Sequence, residues 1–485
     1  MYTKPLLYDI VLKKGNGYIM KKIYKVILLL SVATMLFSIV ACTENETPAV
    51  QTPADSTPPD SPSSDSPSID PPSGRVQLVF SLWGEPAELE TTQAALDVFN
   101  NMQERIWVTA IQITQEEYAE KLLAMAEEDN MPDCGMVDER TVISWAREGL
   151  LLPFDIYAGQ PNKPKDGITF RDGGQVVAYS RASEVLALWF NKEMFDEAGI
   201  EYPPVTLDTA WSWDEFIEVA RQLTFDADGN NPGDDGFDRE NIVQYGAYVN
   251  QWAWQLEVWA LSNGGRWYSE DGTSIIFDEA AVEAIQMVYD LHLVHNVAPL
   301  NHAQSDTGFL DSIGSGNVAM ATDGQWATGF GYLDIDYGVG VLPYMKQSVN
   351  ITAGGPAGIF TTTQHPEEAA EFLRWYCDPE NNFGPIYDGW WMPNMMNWFT
   401  DEELLKRWID DVPFRARLPA SSFRTAVADV AIHPSTVPTG WYYTPNTDKI
   451  DRILIPALVE AISGRKTVNE VIESVRPDLE AAIAG

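Results

Sequence analysis

From Val76 onward, short apolar runs alternate with amphipathic helical stretches, and that alternation leaves few folds open. Val76-Gln77-Leu78-Val79-Phe80 reads as a strand, and a helix follows through Leu96, Val98 and Phe99. A second strand is expected near Trp107 to Ile113. Tyr118, Leu122 and Met125 then recur at helical spacing. Pro132 to Val137 reads as a short third strand, and Trp145-Ala146 leads to Gly149-Leu150-Leu151-Leu152-Pro153. The pattern predicts an α/β fold around a mostly parallel sheet. In such sheets ligands sit beyond the carboxyl ends of the strands, where Trp83, Glu85 and Asp138 are expected. The middle of the chain is richer in helix. Trp213-Asp214-Glu215-Phe216-Ile217 opens one helix, and residues 280–295 form another with Val282, Ile285, Val288, Tyr289 and Leu293 on its apolar face. A chain of 485 residues exceeds what one core usually supports, so two lobes are expected.

The first 74 residues do not read as part of that body. Lys21, Lys22 and Lys25 precede an apolar run from Val26 to Ala41 that is short for a membrane span but suits a signal peptide. The run ends in Ile39-Val40-Ala41-Cys42, which resembles the bacterial lipobox, with cleavage before Cys42 and a lipid on its thiol. The alternative is an uncleaved anchor helix with an incidental Cys. Met20 starts the signal cleanly, so residues 1–19 read as an over-extended start. Residues 43–74 are dominated by Pro, Ser, Thr, Asp and Glu and cannot bury apolar area, which suits a tether.

Net charge narrows the partners. The formal charge is −40, and about −45 once cleavage at Cys42 removes six Lys and one Asp. Such a surface repels phosphate backbones, so nucleic-acid binding is disfavoured. Besides Cys42 there are only Cys134 and Cys377, too few for a disulfide framework, and both read as buried thiols.

A series of short phrases, in order, carries a more specific resemblance. They are Pro132-Asp133 with Gly149-Leu150-Leu151; Ala187-Leu188-Trp189-Phe190-Asn191-Lys192; Pro203-Pro204 leading into Trp213-Asp214-Glu215-Phe216; and Asn263-Gly264-Gly265. Gly316-Asn317-Val318-Ala319-Met320, Asp323-Gly324-Gln325-Trp326, Tyr337 to Pro343 and Gly464 to Glu470 follow. Together they resemble the family 1 extracellular solute-binding proteins over nearly all of residues 75–485. The resemblance implies a two-lobed, type II periplasmic-binding-protein-like fold with hinge-linked lobes closing on a ligand. It puts lobe one at 75–183 plus 352–395, and lobe two at 184–351 plus 396–485. The expected role is a monomeric, lipid-anchored protein on the outer face of a bacterial membrane, not an enzyme, handing a sugar or oligosaccharide to the permease and ATPase of an ABC importer. No cofactor is required for that role.

Sugars present apolar C–H faces and a rim of hydroxyls, so their sites need aromatic platforms with carboxylates or amides beside them. The resemblance places Trp326 and Trp254 at stacking positions, Glu184 at a ligand-contacting Glu and Glu85 at a ligand-contacting Asp. Trp83, Asp138, Trp252, Trp390, Trp391 and Trp441 are further candidates, although most Trp residues in a large domain are core. Val137, Arg140 and Thr141 stand where the maltose-binding members use a Trp, an Asp and an Arg, so that part of a maltose site is missing.

Asp226, Asp228, Asn230 and Asp234 read in two ways. Alternate hard oxygen ligands suit calcium, but Asn231 replaces the turn glycine of an EF-hand and Phe237 its bidentate Glu. The other reading is an acidic turn. His292 and His295 share a helix but read as core or surface histidines. Two rivals to the transport role remain. A secreted carbohydrate-active enzyme needs a carboxylate pair, and the chain has neither an H-E-x-x-H nor a G-x-S-x-G motif. A sugar-sensing co-receptor would use the same trap to signal.

Overall fold

Two separate sheets, not one, organise the body. The computed structural model describes residues 73–84, 86–160, 162, 165, 167–300, 312–330, 335–412 and 418–485. Residues 1–72, which hold the expected signal segment, Cys42 and nearly all of the expected tether, lie outside the described residues, as does Glu85. Strands β1 (Val76–Leu82), β2 (Ile106–Gln112), β3 (Cys134–Met136), β4 (Thr169–Asp172) and β5 (Gln175–Ser180) belong to the first sheet. Strands β6 (Glu184–Asn191), β7 (Phe225–Asp226), β8 (Ile242–Val249), β9 (Val318–Gly324), β10 (Tyr337–Gly340) and β11 (Asn350–Ala353) belong to the second. The chain then returns: β12 (Pro356–Ile359) joins the first sheet and β13 (Thr436–Pro438) the second.

The first sheet has the order β2-β1-β3-β12-β5-β4. β1 pairs parallel with β2 and β3, as strand–helix alternation requires. The other half is antiparallel, because β12 enters from the second sheet and β4–β5 is a hairpin. The expected mostly parallel sheet is therefore parallel only through β1 to β3. The second sheet has the order β13-β11-β6-β9-β8-β7, with β10 also on β6. The chain passes between sheets at residues 181–183 and 354–355, so Thr352 and Ala353 pair with β6 in the second sheet.

Local chemistry accounts for the helices. Ser212 and Glu215 form a capping box that starts helix Trp213–Gln222, and Trp213, Phe216, Ile217 and Ala220 face inward. Burying each of the three large ones contributes about 1.5–3 kcal/mol. Helix Glu279–Leu293 is capped by Asp278 through the Ala281 amide and buries Ala284, Ile285 and Val288. In the first sheet's core, Phe80 packs on Phe372 and Tyr376. Cys134 and Cys377 are buried free thiols there, and desolvation pushes Cys377 up to about 12. Among the described residues no helix is long and apolar enough to cross a membrane.

Candidate functional site

Five tryptophans follow strand ends, and all five line one cleft. Trp83 follows β1, Trp252 and Trp254 follow β8, Trp326 follows β9 and Trp441 follows β13. The cleft has a volume of about 300 Å³. This is the crevice beyond the carboxyl ends of strands where α/β proteins hold ligands.

Four of the rings form a continuous wall on the second-sheet side. Trp252 and Trp326 stack with centroids 6.1 Å apart and planes at 19°. Trp254 lies 6.0 Å from Trp326 and 5.5 Å from Trp441. Trp326 can fold back over its own backbone only because residue 324 is glycine. A Cβ there would lie 2.0 Å from the indole ring. Trp441 is held by the main chain beside it: the Gly440 amide donates to both carboxyl oxygens of buried Glu257, at 3.2 and 3.1 Å. Glu257 lies on Ala253–Ser262, the helix that also carries Trp254, so one carboxyl ties both rings to one frame. Burial pushes Glu257 up to about 7. On the first-sheet side Trp83 meets Tyr118 edge-on at 4.5 Å, and Tyr118 donates its hydroxyl hydrogen to Ser81 or the Met136 carbonyl.

The polar part of the lining comes from Asp138, Glu139, Arg140, Arg181, Glu184, Asp451 and Gln115. Arg140 donates two hydrogen bonds to Asp138, Nε to Oδ1 at 2.9 Å and Nη2 to Oδ2 at 2.5 Å. That pair is charge-assisted and pre-orders the loop after β3. Burial, with the neighbouring charges of Asp138 and Glu184, holds Glu139 well above the usual carboxylate range. Arg181 runs beside Gly355, where a Cβ would lie 2.3 Å from Nη1, so glycine makes the room it needs.

Of the residues singled out from sequence, Trp83, Asp138, Glu184, Trp252, Trp254, Trp326 and Trp441 line the cleft. Trp390 and Trp391 do not. Trp391 is 7% exposed and lies behind the lining, 4.5 Å from the Arg181 guanidinium. Trp390 packs against Gly329, and its carbonyl accepts from Gln325. The sequence reading missed Gln115, Glu139, Arg140, Arg181 and Asp451 as lining residues. Asp138, already a candidate, could have pointed to Glu139 and Arg140 as its chain neighbours.

The Asp226 loop is organised by its own hydrogen bonds. The Asp226 carboxylate accepts from the amides of Asp228, Asn230 and Asp238, chiefly the last, which holds its pKa down to about 2. Asn230 turns its amide nitrogen, not its oxygen, toward Asp226. Asp234 accepts from the Asn231 amide. Among the described residues no group of three or more His, Cys, Asp or Glu converges to hold a metal. The carboxylates of Asp226 and Asp234 are turned to the loop's own N–H groups, an arrangement that favours the acidic-turn reading of Asp226, Asp228, Asn230 and Asp234 over calcium.

A two-lobed α/β body with a cleft at its strand ends is the type II periplasmic-binding-protein fold. Residues 83–383 match the bacterial extracellular solute-binding protein family, and the chain belongs to it. An arabinooligosaccharide-binding protein of Halalkalibacterium halodurans is 25% identical over 202 residues, 39% of this chain and 40% of that protein. The sn-glycerol-3-phosphate-binding periplasmic protein of Escherichia coli is 24% identical over 225 residues, 43% and 46% of the two chains. The chain thus spans less than half the length of the curated relatives it matches. In fold, an ABC substrate-binding protein of Listeria monocytogenes in complex with cycloalternan is similar, with a TM-score of 0.66 at 18% identity over 84% of this chain and 98% of that one.

Proposed function

We propose that this protein captures a neutral sugar or short oligosaccharide in the tryptophan-lined cleft and delivers it to the permease of an ABC importer. The observation that carries the reading is the wall of Trp252, Trp254, Trp326 and Trp441 beside carboxyl groups. Indole faces cover the C–H faces of a pyranose, and carboxylates accept its hydroxyls. Binding of oligosaccharides by a relative points the same way. The lining holds four carboxyl groups against two guanidinium groups, and Arg140 is committed to Asp138. That balance favours a neutral ligand over sn-glycerol 3-phosphate.

The lobes in this reading are residues 75–183 with 352–395 and residues 184–351 with 396–485, divided near 183/184, 351/352 and 395/396, and they close on the ligand. Cleavage before Cys42 and lipidation of its thiol hold the body at the outer face of the membrane. The protein acts as a monomer that binds without turnover. Small-angle scattering tests the trap: a saturating sugar should lower the radius of gyration, because the closed form buries the ligand from both sides. An unchanged radius at saturation rules out closure.

A further inference from the structure

Helix Thr447–Ile462 turns an apolar stripe inward, with Ile450, Leu454, Ala457, Leu458 and Ala461 all buried. Asp451 sits in that stripe, at a spacing that elsewhere on the helix holds aliphatic side chains. It is 5% exposed and lines the cleft. Among the described residues its carboxyl makes no hydrogen bond, and Arg140, the cation nearest in effect, already gives two bonds to Asp138. A carboxyl set this deep in an apolar stripe is costly to the fold, and its place on the cleft lining makes it a candidate for ligand contact.

We propose that Asp451 is a specificity-determining residue whose carboxylate accepts a hydrogen bond from a hydroxyl of the bound sugar. The inference rests on the sugar reading above. It explains a carboxylate among aliphatic neighbours: the ligand supplies the donor that the protein withholds. Burial pushes the free Asp451 up to about 7, against the pull of Arg140 and with the push of Asp138 and Asp448. Glu257 and Tyr268 also feel its charge, and Glu139 and Glu184 share the cleft. A sugar hydroxyl bonds the ionised form more strongly, so binding should release a proton near neutrality.

Calorimetric titration of the wild type, Asp451→Asn and Asp451→Leu with arabinotriose, maltotriose and mannotriose, at pH 8 and pH 5.5, tests this. At pH 8 both variants should bind about tenfold more weakly or worse, the usual cost of a hydrogen bond to a charged group. Their melting temperatures should equal or exceed the wild type's, because a buried charge has been removed. Wild-type affinity should fall several-fold toward pH 5.5. The affinity of the variants should stay flat. Glu257→Gln should keep the wild-type pH dependence. Equal affinity in wild type and variants, loss of affinity only together with a lowered melting temperature, or loss of the pH dependence in Glu257→Gln would each overturn the assignment of Asp451. If the wild type binds none of the three sugars, the sugar reading itself fails and this inference goes with it.

Discussion

Replacing Trp326 by alanine separates a ligand platform from a core residue. The ring is half-buried and touches Trp252 and Trp254 at 6.1 and 6.0 Å. Losing two aromatic contacts at about 0.5–1.5 kcal/mol each gives a stability cost of roughly 1–3 kcal/mol. A fully buried Trp→Ala change costs more, about 3–5 kcal/mol, as expected for Trp189 in the core. Binding should suffer in the opposite proportion. Removing the central ring of the wall should cost about 2 kcal/mol or more, roughly thirtyfold in affinity. The assay pairs a melting curve with a saccharide titration on Trp326→Ala, using Trp189→Ala as the core control. Intact affinity with a collapsed melting temperature would refute the reasoning, because Trp326 would then belong to the core alone.

Other perturbations probe separate parts of the account. The carboxyl of Glu257 titrates near 7 when folded and lower when unfolded, so its charge destabilises the fold above pH 7 and the penalty fades as pH falls toward 5. Glu257→Gln should therefore melt higher than wild type at pH 8, by on the order of 3 kcal/mol, and the gap should close near pH 5; a gap that grows on acidification contradicts the sign. Asp226 is held down to about 2, so its contribution is present above about pH 4 and lost as pH falls through 2. Asp226→Asn should lower the melting temperature at pH 7 and leave it unchanged near pH 2, while EDTA should not shift the wild type; a drop with EDTA would restore the calcium reading. Cys42→Ala should abolish lipid labelling, and a processed mutant that stays on membranes would remove the anchor from the account.

Some of this molecule was legible in the sequence because helical period is local. Tyr118 and Leu122 recur at helical spacing, and both are buried. Trp213, Phe216 and Ile217 open a helix where their spacing puts it, and all three are buried. Strand pairing is not local: the resemblance put residues 352–395 back in lobe one, but nothing near Pro356 signals that β12 lies between β3 and β5. The aromatic part of the cleft was readable for a similar reason: Trp83, Trp252 and Trp326 each follow an apolar run that forms a strand. Trp391 could not be separated from them, since its place behind Arg181 depends on residues some 210 positions away. Asp451 was hidden by composition. In a chain with 71 acidic residues, one more Asp on a helix carries no signal until its burial is known.

The claim that this cleft holds a sugar is tested most directly by calorimetric titration of the folded body with arabinotriose, maltotriose and mannotriose. At least one should saturate at one molecule per chain and be recovered unhydrolysed. No binding by any of the three, or recovery of the sugar as shorter products, would contradict the account.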